Sequence, residues 1–344
     1  MSIKTEKKIE SYLPKNTNGL KLNLINYGGR ITNLEVPDKN GNLGNVVLNL
    51  SEEDYFEPNP FIGALIGRYA NRIANASFTL NEELFEIDKN EGRNCLHAGI
   101  GGFDAVFWTV EKLSDSKVLL TYDSPHLEMG FPGNLKVNVY YELTNTNELK
   151  IAYHSVSDQE TVINLTQHAY FNLTADFNKK ITDHEVFINV DAFLPTSGNI
   201  STGEIRAVKD SVFDFRKPKN TDSTIDDNNE QLQIAGGYDH CFVLNNKQGL
   251  SLAASAYDRK SGRFLEVFTT EPGVQFYTGN SLDGSLKIPN QSGNYEKCSG
   301  FCFKTQHFPD SSNQPDFSSV VIQAGEEFFS ETVYKFSVKT EEDN

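Results

Sequence analysis

Along most of this chain apolar and polar residues alternate with a period of two. That period puts successive side chains on opposite faces of an extended strand, whereas a helix buries a stripe of period 3.6. KVNVYYEL sets Val137, Val139, Tyr141 and Leu143 against Lys136, Asn138, Tyr140 and Glu142, and HEVFINV, KVLLTYDS, ELKIAYHSV and RFLEVFTT behave likewise. Turn signals separate them: DKNGN at 38–42, FPGN at 131–134, EPG at 271–273 and LDGS at 282–285. Many short strands so punctuated predict an all-β fold, a large antiparallel sandwich or barrel with few short helices. SEEDYFEP reads as a capped turn starting at Ser51, and the polar stretch 217–237 as a long loop or a short helix-bearing insertion. Neither a linker nor an internal repeat divides the sequence, so 1–344 reads as a single β domain.

Charge removes several classes of partner. With 31 Lys and Arg against 47 Asp and Glu, the net charge is −16, which disfavours nucleic acid and anionic membranes. No apolar run is long enough to cross a bilayer, and MSIKTEKKIESYLPK lacks the apolar core of an export signal. Cys95, Cys241, Cys298 and Cys302 have no paired spacing and read as free thiols of a cytoplasmic protein. GIGGFD from Gly99 lacks the last glycine of a dinucleotide fingerprint, TGNSLDG fails the nucleophile-elbow spacing, and P-loop, HExxH and CxxC motifs are absent. Nucleotide enzymes, zinc proteases and serine hydrolases are therefore disfavoured.

Five segments remain, dense in polar and aromatic residues: GRYANRIANASF (67–78), NCLHAGIGGFDAVFW (94–108), INLTQHAYFNL (163–173), GGYDHCFVL (236–244) and GFCFKTQHFPDS (300–311). Read as a strand, the third lines one face with Asn164, Thr166, His168, Tyr170 and Asn172 and the other with Leu165, Ala169, Phe171 and Leu173. Such a polar row is either the wall of a cleft for a polyhydroxylated ligand or an ordinary solvent-facing strand. The fifth places Cys302, Lys304, Gln306 and Phe308 on one face and Phe301, Phe303, Thr305 and His307 on the other. Lys304, between two phenylalanines, must end in solvent, in an ion pair or in a polar cleft.

In this order the segments resemble the aldose 1-epimerase (galactose mutarotase) family, whose pattern runs through NP-F-GA-IGRYANRIA, N-LHAG--GFD---W, NLT-H-YFNL, GYDHCFVL, VQFYTGN-L and TQHFPDS, from about Asn59 to Ser311. The resemblance implies a large antiparallel β-supersandwich that interconverts the α and β anomers of free aldohexoses such as galactose and glucose. It implies no metal and no cofactor, and a monomer or homodimer. The chemistry removes a proton from the anomeric hydroxyl and delivers one to the ring oxygen, so an acid and a base must each be able to swap roles.

By resemblance His168 is the acid, and its bland alternative is a histidine satisfied in a cleft wall. His97 would orient the sugar; Arg72 would grip hydroxyls with its donor fork, unless it is a surface ion pair. Asp239 would accept from sugar hydroxyls, unless it is a turn aspartate after Gly237. Trp108 and Phe308 read as core residues before sugar platforms. Where the family pattern has E-T-Q with glutamate as base, this chain has Lys304-Thr305-Gln306. A lysine acting as base near pH 7 needs its pKa lowered by roughly three units, about 4 kcal/mol. Arg72 would push that way and Asp239 would oppose it. Three readings follow: Lys304 disables the base and leaves a sugar-binding site; glutamate was deliberately exchanged for lysine; or Lys304 itself transfers protons or attacks the open-chain aldehyde. The first is favoured, which puts turnover in question. His168 and residue 304 are expected to straddle one pyranose from opposite ends of its hemiacetal. Alternatives are a non-catalytic sugar-binding protein and a hexose-6-phosphate 1-epimerase, for which only Arg68 and Arg72 come together as a basic cluster.

Overall fold

The strand Leu135–Leu143 illustrates how the alternation becomes architecture. Leu135, Val137, Val139, Tyr141 and Leu143 are buried, while Lys136 is exposed and Asn138, Tyr140 and Glu142 are half-buried. It pairs antiparallel with Lys117–Ser124 on one side and Glu148–Ser157 on the other. Thr109–Lys112 extends one edge; Glu327–Val338, Arg263–Thr269, Ser251–Tyr257 and Glu185–Ile188 extend the other, giving eight antiparallel strands.

A five-stranded antiparallel sheet packs on this one in the order Arg206–Ala207, Val190–Leu194, Asp239–Leu244, Gly273–Tyr277, Cys302–Gln306. A four-stranded sheet, Ser11–Tyr12, Lys21–Ile25, Arg30–Pro37 and Leu43–Asn45, supplies a third layer. All three feed the largest hydrophobic cluster: Leu22 and Leu34 from the four strands, Val137 and Tyr141 from the eight, Phe276 and Phe303 from the five. Trp108 belongs to that cluster, its indole N–H donating to the Phe103 carbonyl at 3.2 Å. Phe308 packs with Leu194, Cys241 and Phe317, so both aromatic residues are core residues.

This computed structural model describes residues 8–245 and 249–339; residues 1–7 of the stretch read for an export signal, and both ends of the 1–344 assignment, lie outside them. Among the described residues no helix is long and apolar enough to cross a membrane. All four cysteines are free and buried. The Ser51 turn is a 3₁₀ helix, Glu53–Tyr55, with the Ser51 hydroxyl accepting from the Asp54 N–H at 3.3 Å. The 217–237 stretch carries one α-helix, Glu230–Ala235, capped by the Asn229 side chain and ended by left-handed Gly236.

One strand expectation is corrected. Within 163–173 only Thr166–Gln167 is strand, paired with Leu65–Ile66, and every residue of the segment is buried on both sides. Asn164 donates to the His307 carbonyl, Thr166 to that of Thr305, and Asn172 to those of Lys179 and Ser299. These three polar side chains tie neighbouring segments together, while His168 and Tyr170 of the same row line a cavity.

Candidate active site

Antiparallel register aligns two rows across the five-stranded sheet. Asp239 stands opposite Tyr277 and Tyr277 opposite Cys302; Cys241 stands opposite Gln275 and Gln275 opposite Lys304. Positions two apart on a strand share a face, so these six side chains share one floor. The opposite face is core. Thr305 Oγ1 lies 2.6 Å from Thr332 Oγ1 of the eight-stranded sheet, and the Tyr334 hydroxyl donates to the Phe303 carbonyl at 3.1 Å. Alternation in Cys302–Gln306 therefore sends Phe303 and Thr305 inward and delivers Lys304 to the floor.

Above it opens a cavity of about 430 Å³, a size that suits a small-molecule ligand. Arg72, His97, His168, Asp239 and Lys304 all line it, so the five site residues expected from the sequence converge. Phe61, Tyr170 and Tyr277 supply aromatic wall, and Ile234 and Ala235 of the short helix close another side. Gly237 makes the entry to the Asp239 strand possible: its φ is +141°, and a Cβ there would collide with the Asn280 side chain.

His168 and Lys304 are in contact, with Lys304 Nζ 3.2 Å from His168 Nε2. The two groups expected to serve opposite ends of one hemiacetal thus stand side by side on the floor of the same cavity. The other imidazole nitrogen, Nδ1, lies 3.6 Å from the Cys302 sulfur. Burial, then the nearby Lys304 charge, hold His168 well below the ordinary imidazole range and therefore neutral. Burial also lowers Lys304, but Asp239 opposes that shift. Lys304 is only 4 % exposed, and its Nζ lies 5.1 Å from the Tyr277 ring centre. The pair reads as an ammonium donating to a neutral imidazole, whose own proton then sits on Nδ1.

His97 takes an unusual backbone conformation, φ +54°. Its Nδ1 accepts from the Asn71 N–H at 3.0 Å, which leaves the proton on Nε2. It packs edge-on against Phe61 and His168, with ring centres 4.6 and 5.4 Å away. Burial, then Lys304 and Arg72, hold it well below its usual pKa, so it too is neutral.

Arg72 is both paired and in the cavity wall. Its Nε and Nη2 make a bidentate bond to Glu91 at 2.6 and 2.7 Å, while Nη1 stands 3.8 Å from Asp239. Asp239 accepts from Gln275 at 2.8 Å. Burial raises its pKa, but Lys304, Arg72 and Gln275 outweigh that and hold the carboxyl below its usual range. Glu91, Phe61, Gln275 and Tyr277 were not picked out as site residues from sequence, although Phe61, Gln275 and Tyr277 fall inside the quoted motifs; Glu91 carries no local signal. Arg68 faces elsewhere, donating to the carbonyls of Ser124, Pro132 and Gly133. Among the described residues no three His, Cys, Asp or Glu side chains group as a metal site requires.

The sandwich, with a polar cavity whose floor sets Lys304 against a neutral His168, defines a fold able to hold a small polar ligand beside groups that can exchange a proton. The aldose 1-epimerase family model matches residues 10–335. Galactose mutarotase from Bos taurus is 44% identical over 321 residues, covering 93% of this chain and 92% of the relative. Aldose 1-epimerase from Escherichia coli K12 is 34% identical over 327 residues, covering 94% and 93%. The crystal structure of a GalM/aldose epimerase homologue from C. elegans superposes with a TM-score of 0.86 at 26% identity, covering 97% of this chain and 100% of that one. The chain belongs to the aldose 1-epimerase family. The relatives so named are isomerases, and that is the enzyme class of this protein.

Proposed function

We propose that this protein interconverts the anomers of free aldohexoses of the galactose and glucose type by acid–base ring opening, with His168 and Lys304 as the proton-transferring pair. The observation that carries this reading is the 3.2 Å contact between Lys304 Nζ and His168 Nε2 on the cavity floor. The anomeric and ring oxygens are bonded to the same carbon, so an acid and a base serving both must be neighbours. The pair holds one proton to give, on the Lys304 ammonium, and one site to receive, His168 Nε2, where the bound sugar's hydroxyl takes the place of the Lys304 N–H. His168 takes the anomeric hydroxyl proton as Lys304 protonates the ring oxygen; the open-chain aldehyde rotates, and closure returns both protons. Arg72, His97 and Asp239 offer donors and an acceptor to the remaining hydroxyls, and Phe61, Tyr170 and Tyr277 offer faces to the sugar's C–H groups.

An uncharged sugar is favoured over a phosphorylated one. Arg68 is spent on backbone carbonyls and Arg72 is neutralised by Glu91 and Asp239, and among the described residues no other arginine lines the cavity to meet a phosphate. Polarimetry of fresh α-D-galactose tests the reading, with the protein beside its Lys304→Glu variant. In the variant a carboxylate accepts while a protonated His168 donates, so a donor and an acceptor are again present. An ammonium is a weaker acid than an imidazolium. The variant is therefore expected to be at least as fast, by up to the ~10²–10⁴ that one positioned acid or base contributes. If neither protein outpaces buffer, the acid–base assignment is wrong. Lys304, standing where the family pattern has glutamate, favours a second reading, a sugar-binding protein without turnover. It predicts galactose binding by calorimetry and no rate enhancement at any pH.

A further inference from the structure

We propose that Lys304 also captures the open-chain sugar covalently, its amine and the aldehyde carbon forming a reversible imine inside the same cavity. This rests on the ring-opening reading above and adds a covalent state to it. Ring opening uncovers both reactants at once. When the Lys304 ammonium gives its proton to the ring oxygen, the bond from that oxygen to C1 breaks and C1 becomes an aldehyde. The same transfer leaves Lys304 as a neutral amine, in contact with an oxygen that was itself one bond from C1.

The electrons and atoms balance without a further reagent. The Nζ lone pair forms a bond to C1, and the carbonyl oxygen takes the proton that His168, 3.2 Å from Nζ, has just received. The carbinolamine nitrogen returns a proton to His168, which passes it to the hydroxyl; the hydroxyl leaves as water as the nitrogen lone pair closes C1=N, a protonated imine. One aldehyde and one amine give one imine and one water, and hydrolysis reverses it. Three observations favour capture. Nζ is nearly sequestered from solvent, with Lys304 only 4 % exposed. Its hydrogen-bond partner, His168 at 3.2 Å, is placed to give and take the protons that the amine's addition exchanges. Burial lowers its pKa, easing proton loss.

The test uses the full-length protein with D-galactose and cyanoborohydride, which reduces an imine to a stable amine, read by intact-mass analysis and peptide mapping. The expected product carries the mass of one hexose less one oxygen, confined at early times to the peptide containing Lys304. Methyl α-D-galactoside, which cannot open, should leave that peptide unlabelled. Lys304→Met, checked for folding by circular dichroism, should label only at the slow rate of exposed lysines such as Lys209. If galactose binds by calorimetry yet Lys304 is modified no faster than Lys209, the capture proposal is overturned while sugar binding stands. If galactose does not bind, the functional reading fails and the capture proposal falls with it.

Discussion

Arg68 and Lys304 are both buried cations, and what surrounds each is different. Arg68 Nη1 donates to the Pro132 and Gly133 carbonyls at 2.7 and 3.0 Å, and Nη2 to the carbonyl and hydroxyl of Ser124 at 3.1 and 2.6 Å. Burial lowers its pKa to about 10, so it stays charged at neutral pH, held by fixed carbonyl dipoles. Lys304 meets one imidazole nitrogen and an aromatic face, with the cavity beside it. A cation whose two terminal nitrogens are both engaged, mostly by backbone carbonyls, is a clamp. One with donors left over, beside a group that can exchange its proton, is a reagent.

That contrast can be broken most decisively at His168. His168→Ala removes the acceptor and is expected to slow anomer exchange by about 10²–10⁴ in polarimetry while leaving the urea midpoint nearly unchanged. Arg68→Met should do the reverse, leaving buried carbonyls without donors and costing about 2–4 kcal/mol in urea unfolding, with the folded fraction as active as the parent. An Arg68→Met protein of normal stability and collapsed turnover would erase the distinction. The pH profile sharpens it. The proposed mechanism needs neutral His168 and protonated Lys304, and both pKa values lie below their ordinary 6.5 and 10.5. The acid limb should therefore fall below pH 6.5 and the alkaline limb below pH 10.5, because His168 gains its proton and Lys304 loses its own at lower pH than usual. A profile with its acid limb at or above 6.5 would contradict a neutral, buried His168. The smallest effect is expected behind the floor: Thr305→Val removes the 2.6 Å bond to Thr332 and should cost about 1 kcal/mol without shifting either limb.

Much of this site was legible in the sequence because strand alternation is a local rule. Cys302–Gln306 sorts its side chains as the period of two requires, so the rule separates Lys304 from Phe303 and Thr305, and the fold then makes its face the cavity floor. The same rule serves less well in 163–173: His168 and Tyr170 of the polar row do line the cavity, but Asn164, Thr166 and Asn172 answer to the distant carbonyls of Lys179, Ser299, Thr305 and His307. Nothing local announces those partners. The Arg72–Glu91 bond, 19 positions apart, is invisible for the same reason, as is the direct contact of His168 with Lys304 across 136 positions. Motif order brought the segments together, but only tertiary packing fixes which atoms touch.

The anchoring of Phe303 and Thr305 to the core has a consequence for how such a protein can change. Their grip fixes the main chain on either side of position 304, so whatever side chain stands there arrives at the same place. The functional group behaves as an interchangeable tool in a rigid holder: one codon replaces a carboxylate with an amine, and the holder need not be rebuilt. A lineage or a designer can thus trade one kind of proton or carbonyl chemistry for another at a single position.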